Sequence, residues 1–325
     1  MPSQGEAAAS GVTPAAAPRA LERVRVGYAT PTGAFAAPWA AKEAGLCEQY
    51  GLDCDLTYIA SGPTLIQAMV AGELDFGELA APASMHAYVE GADLVWITGA
   101  VNVPISFIIG LPEIARVEDL RGRTVGVTRI GTTTHTFMNL ALRAAGLDPE
   151  RDVQVFQTGG TPETRGALTT GRIVAAALGP SYLLMPQDGI HVVADVAALG
   201  ILWPYGGAIS TRRQIAERPE RVRSYVQAYT AAVARLRADP ELALDVLQKY
   251  GEVPDRAIAA QQWAMFAPHY TLPPYPRRAA MEAVVREELA PTNPRALDIP
   301  PEDFYDDRFV RALDESGFVR QLGGP

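Results

Sequence analysis

The stretch VRVGYATPTGAFAAPWAAKEAGLCEQYGLDCDLTYI, residues 24–59, predicts the fold class of this chain. Val24–Tyr28 has the pattern of a buried strand, and a polar loop then leads into a helix over Ala36–Tyr50 that ends at Gly51. A second strand is expected at Cys54–Ile59. A strand, a crossover helix and a second strand indicate a mostly parallel sheet with helices on both faces, an α/β fold.

The same alternation extends along the chain as far as about residue 211. Strands at Asp75–Gly77 and Leu94–Val101 alternate with helices, and a second series of strands and helices begins at Ile105–Ile109. Gly206–Ser210 is expected to be a returning strand, and the chain is mainly helical from Glu217 onward. The pattern therefore predicts two α/β units followed by packed helices.

Two α/β series joined by two strand-like crossings predict two lobes on either side of a cleft, with the crossings as the hinge. The first lobe is expected to comprise residues 21–103 plus 206–325, and the second residues 104–205. Residues 1–20 are rich in Ala, Pro, Gly and Ser, so they are expected to form a flexible tail.

Composition and motifs exclude several classes of protein. Apolar residues make up 48% of the 325 positions, enough to bury real cores, while the net charge of −9 excludes a basic surface for nucleic acid or anionic membranes. The sequence contains no apolar run long enough for a transmembrane helix and no secretory signal. It also lacks GxSxG, P-loop, HExxH and GxGxxG motifs, and its four histidines are scattered. We therefore expect no enzyme activity, no metal and no cofactor.

The only two cysteines are Cys47 and Cys54, near the end of the first predicted helix and the start of the second strand. Their spacing matches neither a zinc site nor a redox CxxC motif. They are either two small buried residues or a disulfide closing a short loop, which would indicate an oxidising compartment.

Several segments resemble one family of substrate-binding proteins. These are residues 28–46 (YATPTGAFAAPWAAKEAGL), 50–56 (YGLDCDL), 62–77 (GPTLIQAMVAGELDFG), 120–127 (LRGRTVGV) and 305–318 (YDDRFVRALDESGF). Their order and spacing resemble the proteins of ABC importers that bind aliphatic sulfonates, taurine, nitrate or thiamine-pyrimidine precursors. The resemblance covers roughly residues 22–320 and implies a two-lobed type II periplasmic-binding-protein fold.

In α/β sheets, ligands bind outside the carboxyl ends of the strands, where the following loops and helix N-termini converge. Those loops are small, polar and rich in glycine, so their backbone N–H groups can approach a ligand closely. The candidate ligand-binding residues in and near these loops are Thr30, Thr32, Gly33, Phe35, Ser61, Gly62, Ala81, Asn102, Arg129, Gly131, Thr132, Thr133, Gly160, Gly179 and Trp203.

The segment Arg129–His135 is the most specific of these loops because it follows a strand and opens a helix. Free N–H groups, the helix dipole, three threonine hydroxyls and a guanidinium would together hold a carboxylate or sulfonate. The alternative is simple N-capping by a threonine, with Arg129 solvated. Trp203, at the return crossing, is expected either to cover an apolar ligand or to pack within the hinge, whereas Trp39 is expected in the core.

The resemblance implies a solute-binding protein of an ABC import system that holds a small anionic or heteroaromatic molecule. Its partners would be that ligand and the permease subunits, and the chain is expected to be a monomer that binds no nucleic acid. It would lie in the periplasm, or outside the cytoplasm on a lipid anchor. The alternatives are a thiamine-pyrimidine synthase-like enzyme on the same fold and a ligand-sensing module.

Overall fold

A computed structural model describes residues 20–60 and 62–323, so the expected tail over residues 1–20 lies outside the described residues apart from Ala20. The ten strands are β1 (Glu22–Tyr28), β2 (Leu52–Tyr58), β3 (Phe76–Glu78), β4 (Leu94–Trp96), β5 (Phe107–Gly110), β6 (Thr124–Val127), β7 (Gln154–Gln157), β8 (Ala175–Leu178), β9 (His191–Asp195) and β10 (Ala208–Thr211). They form two separate five-stranded sheets.

Helices cover both sheets and continue to the end of the described chain. They are α1 (Ala36–Glu43), α2 (Leu46–Gln49), α3 (Gly62–Val70), α4 (Ala81–Val89), α5 (Thr133–Ala144), α6 (Thr161–Thr169), α7 (Arg212–Glu217), α8 (Pro219–Ala238), α9 (Pro240–Tyr250), α10 (Arg256–Phe266), α11 (Arg278–Val284), α12 (Arg308–Glu315) and α13 (Phe318–Gln321). Asp239 caps α9 by accepting a hydrogen bond from the Leu242 N–H at 3.2 Å.

The two sheets share one topology. Their strand orders are β2-β1-β3-β10-β4 and β7-β6-β8-β5-β9. In each sheet the first three strands are parallel and the fourth runs antiparallel to its two neighbours. The antiparallel strand is the one that the chain forms after it crosses from the other sheet. The two crossings therefore join the two α/β units into a two-lobed fold.

The crossings lie side by side. The N–H and carbonyl of Val101 pair with Gly206, the Tyr205 N–H also donates to the Val101 carbonyl at 2.9 Å, and the Trp203 N–H donates to the Asn102 carbonyl at 2.9 Å. Two hydrogen-bonded segments therefore carry the chain between the lobes, the layout expected of a hinge.

Cys47 on α2 and Cys54 on β2 form a disulfide, with Cα atoms 6.0 Å apart. The expected helix over residues 36–50 is interrupted just before it, because Gly45 adopts φ 67°, in the left-handed region. The disulfide therefore joins a separate helical turn to the second strand. This answers the question that the sequence left open.

Candidate functional site

The strand-end loops of the two sheets enclose a cavity of about 260 Å³. Loops after β1 and β3 form one wall, loops after β6 and β8 the opposite wall, and the return crossing and the segment around α9 and α10 complete it. Its lining residues are Thr30, Pro31, Thr32, Phe35, Ala80, Thr133, Gly179, Pro180, Ser181, Leu184, Tyr205, Gly251, Val253 and Gln262.

The first wall is a tight turn after β1. The Thr32 N–H donates to the Thr30 carbonyl and the Phe35 N–H to the Thr32 carbonyl, both at 2.9 Å, which winds Gly33–Phe35 into a 3₁₀ turn. Tyr270 supports this turn from behind by donating its hydroxyl to the Gly33 carbonyl at 2.7 Å. Thr30, Thr32 and Phe35 consequently face the cavity.

Gly33 serves packing in this turn. A Cβ atom at this position would lie 2.4 Å from the Phe266 ring, so only glycine allows α10 to approach. Gly33 is buried and is not among the lining residues.

The opposite wall contains the turn that leads into α5. Thr128, Thr132 and Thr134 bring their hydroxyl oxygens within 2.8–3.1 Å of one another, and the Thr132 hydroxyl also donates to the Arg129 carbonyl at 2.7 Å. The Thr132 hydroxyl is thus used inside the turn, although it makes no capping bond. Thr133, one residue on, is the threonine that lines the cavity.

The backbone of this turn keeps donors free for a ligand. Thr136 is the first residue of α5 whose N–H reaches a helical carbonyl, that of Thr132, at 3.1 Å. The N–H groups of Thr133, Thr134 and His135 have no partner among the described residues, as in the first turn of any helix. The Thr133 side chain and these donors make this turn the part of the cavity best suited to a hydrogen-bond acceptor.

Arg129 and Gly131 flank the turn but do not line the cavity. Arg129 is exposed and forms no ion pair within the described part of the chain, and Gly131 adopts φ 80°, which the reversal requires. The Gly131 N–H donates to His135 Nδ1 at 3.3 Å. The guanidinium that the sequence placed beside the ligand therefore lies outside this cavity.

The hinge contributes Tyr205 to the cavity. Trp203 is fully buried and packs edge-on against Phe137 with ring centroids 5.5 Å apart, so it belongs to the core behind the hinge. Asn102 is also buried and donates its side-chain amide to the carbonyls of Gly99 and Tyr275, at 2.8 and 3.2 Å. Tyr205 lies two residues after Trp203 on the return crossing, where its ring reaches the cavity.

The structure brings five of the candidate residues together in the cavity lining: Thr30, Thr32, Phe35, Thr133 and Gly179. Nine lie outside this lining: Gly33, Gly62, Ala81, Asn102, Arg129, Gly131, Thr132, Gly160 and Trp203. Ser61 lies outside the described residues. Gly62 and Ala81 open α3 and α4, and Gly160 caps α6, so each sits at a strand end without reaching this cavity.

Sequence reasoning missed other lining residues for two reasons. Ala80 and Ser181 each lie within two residues of a candidate, so the predicted loops reach the cavity although these two residues were not among the candidates. Gly251 and Val253 come from the loop between α9 and α10, and Gln262 comes from α10; no local sequence pattern indicates that these residues line the cavity. Gln262 is buried, and its amide lies 3.5 Å from the Pro180 carbonyl across the cleft.

Comparison with known proteins places the chain in a family. Residues 33–243 match the family model described as NMT1/THI5 like. The chain belongs to this family. A Brucella abortus protein, named only as a candidate binding protein, is 29% identical over 71% of this chain and 72% of its own length.

Solved structures agree on the fold of this NMT1/THI5-like chain. The periplasmic aliphatic sulphonate binding protein of Escherichia coli superposes with a TM-score of 0.69 at 20% identity, covering 88% of this chain and 92% of that one. The periplasmic nitrate-binding protein of Synechocystis PCC 6803 gives 0.69 at 15% identity, covering 94% and 91%. Similarity at these identities establishes the two-lobed α/β architecture.

The cavity of this family member carries no charged side chain among its described lining residues. Its polar groups are the hydroxyls of Thr30, Thr32, Thr133, Ser181 and Tyr205 and the amide of Gln262. Burial raises the pKa of Tyr205 to about 12, so its hydroxyl remains a hydrogen-bond donor at neutral pH. Within residues 20–60 and 62–323, no three His, Cys, Asp or Glu side chains gather as metal ligands, and no helix is long and apolar enough to span a membrane.

Proposed function

We propose that this chain is the solute-binding component of an ABC import system and holds a small organic molecule in the cavity between its lobes. The observation that carries the proposal is the cavity itself, which is built from strand-end loops of two sheets that only two crossings connect. A ligand that touches both walls stabilises the closed arrangement, because its contacts to the second wall exist only there.

The lobes that close are residues 21–103 plus 206–325 and residues 104–205. The ligand carries a hydrogen-bond-accepting group, anionic or heteroaromatic, held by the free N–H groups at the start of α5 together with Thr133. Sulfonates are the first candidates, because a sulphonate-binding protein shares the fold and a family relative is named as a candidate binding protein. These comparisons favour binding over the synthase-like alternative.

The protein works outside the cytoplasm, as a monomer that delivers its ligand to permease subunits. The Cys47–Cys54 disulfide supports an oxidising compartment, and the structural neighbours named above are periplasmic proteins. Attachment to the membrane surface through a lipid anchor is compatible with this role.

Two substitutions on opposite walls test the proposal. Thr30→Ala and Ser181→Ala each remove a cavity hydroxyl, and each is expected to weaken the binding of a sulfonate or carboxylate found by thermal-shift screening about 2- to 10-fold in calorimetry. Ser316→Ala, on the surface after α12, is the matched control. Unchanged affinity in both wall variants would place the ligand elsewhere.

A further inference from the structure

A second cavity of about 390 Å³ adjoins the cavity between the lobes. It lies in the second lobe, between the first turn of α6 and the segment that follows β8. Ser181 and Leu184 line both cavities, so the two spaces meet at these two residues. We call the second space the annex.

The lining of the annex differs in chemistry from that of the main cavity. Pro162, Leu184, Met185 and Pro186 give the annex a surface that is almost entirely apolar, although Thr161, Ser181 and Arg165 also border it. The main cavity combines an apolar surface with five hydroxyls and one amide. Leu184 stands at the junction and is 50% exposed, so an apolar group crossing from one cavity to the other would cover it. Burying that surface favours a ligand with an apolar chain.

One charge borders this apolar surface. Arg165 lines the annex and is the single charged side chain lining either cavity in the described part of the chain. Its Nη2 donates to the Asp188 carbonyl at 2.7 Å, a neutral partner that leaves the positive charge uncompensated. The remaining guanidinium N–H groups of Arg165 can donate hydrogen bonds to an acceptor at the far end of the ligand's apolar chain.

We infer that the annex is a subsite for the apolar chain of an elongated ligand, whose polar head occupies the main cavity and whose far end bears an acceptor for Arg165. This inference rests on the proposed function, because it assigns the head group to the cavity between the lobes. It narrows the ligand class to molecules longer than the main cavity and selects against compact anions.

Calorimetry with two series of probes tests the annex: linear alkane-1-sulfonates and linear carboxylates, each from one to eight carbons. Once the chain passes Leu184, each added methylene is expected to tighten binding about three- to fourfold. Pro162→Asp places a carboxylate on the annex surface and is expected to remove this chain-length dependence. Pro219→Asp is the matched control, since Pro219 also occupies an exposed first-turn position followed by Glu, at the start of α8 far from both cavities.

A second comparison tests Arg165. A terminal carboxylate on hexane-1-sulfonate is expected to strengthen binding to the wild type, and Arg165→Gln is expected to abolish that gain. Affinities that do not depend on chain length, or a chain-length dependence that persists in Pro162→Asp, would overturn the assignment of the annex as a subsite. Neither outcome would contradict ligand binding in the main cavity. A carboxylate gain that survives in Arg165→Gln would overturn the acceptor at the far end. If no member of either series binds, the annex inference falls, whereas the proposed function still rests on the Thr30→Ala and Ser181→Ala test, which also admits ligands of other classes.

Discussion

Glu78 offers the sharpest test of the packing behind the cleft. It ends β3, its side chain is fully buried, and neither carboxylate oxygen has a hydrogen-bond partner in the described part of the chain. The hydroxyls of Tyr225 and Tyr229, whose ionisation Glu78 opposes, are also buried, and that of Tyr225 has no hydrogen-bond partner among the described residues. Burial raises the pKa of Glu78 well above its ordinary value, because a charge without partners is expensive in the core.

The sign of the pH dependence follows from linkage. The folded protein keeps the Glu78 proton at pH values where the unfolded chain releases it, so the folded state binds more protons and its stability falls as pH rises above the ordinary Glu pKa. The loss is about 1.4 kcal/mol per pH unit until the folded-state pKa is reached.

Glu78→Gln keeps the shape and removes the titration. We expect the variant to be more stable than the wild type above the ordinary Glu pKa, by a margin that widens by at most about 1.4 kcal/mol per pH unit as the pH rises from 5 to 7.5, measured by urea unfolding at several pH values. Burial beside Glu287 also raises the pKa of Glu288, to about 7, but that group is common to both proteins and cancels in their difference. Glu48→Gln, on the surface of α2, is the control. Parallel stability curves for Glu78→Gln and the wild type would refute the reasoning.

Three further outcomes follow from single contacts. Tyr205→Phe removes a cavity hydroxyl that has no partner among the described residues, so the affinity for a cleft ligand is expected to fall about 2- to 10-fold in calorimetry. An unchanged affinity would show that the ligand does not reach the hinge. Replacing Cys47 and Cys54 by serine opens a short loop and is expected to lower the free energy of unfolding in urea by about 2–3 kcal/mol, as reduction of the wild type should also do. Equal stability of the oxidised wild type, the reduced wild type and the serine variant would contradict this. Gly33→Ala forces a methyl group against Phe266, so it is expected to lower the free energy of unfolding by about 1–3 kcal/mol and to displace the first wall. Gly91 has open space but a positive φ, so Gly91→Ala reports the cost of backbone strain alone. A smaller loss of stability in Gly33→Ala than in Gly91→Ala would contradict the clash.

Local pattern was enough to predict most strands and helices, because each is a short periodic segment bounded by a turn residue. The strands predicted at Val24–Tyr28 and Cys54–Ile59 form as β1 and β2, and their ends differ from the prediction by at most two residues. The expected strand over Leu94–Val101 forms only to Trp96, because the chain then leaves the sheet for the hinge and Val101 bridges Gly206 and Tyr270. The end of this strand is decided by pairing with residues far away in the sequence, so no local window of sequence can predict it.

The site shows the same division between local and long-range information. Thr30, Thr32 and Thr133 follow strands directly, so the rule that ligands bind at strand ends located them. Trp203 and Tyr205 lie two residues apart on the return crossing, and both rings pack against Phe137. Trp203 is fully buried while Tyr205 lines the cavity, a difference that tertiary packing decides. Gln262 arrives from a helix more than fifty residues further along the chain.

The absence of charge in the described cavity lining bears on how an anion would be held. The sequence suggested Arg129 as its partner, yet the free donors near Thr133 are neutral N–H and hydroxyl groups. A helix N-terminus contributes roughly 0.3–1 kcal/mol toward an exposed anion, and salt screens the net charge of −9 beyond about 8 Å. Neutral donors of this kind can donate hydrogen bonds to a sulfonate, a carboxylate or a heteroaromatic nitrogen alike. Selection among them therefore has to come from the shape of the cavity and from what lies beyond Leu184.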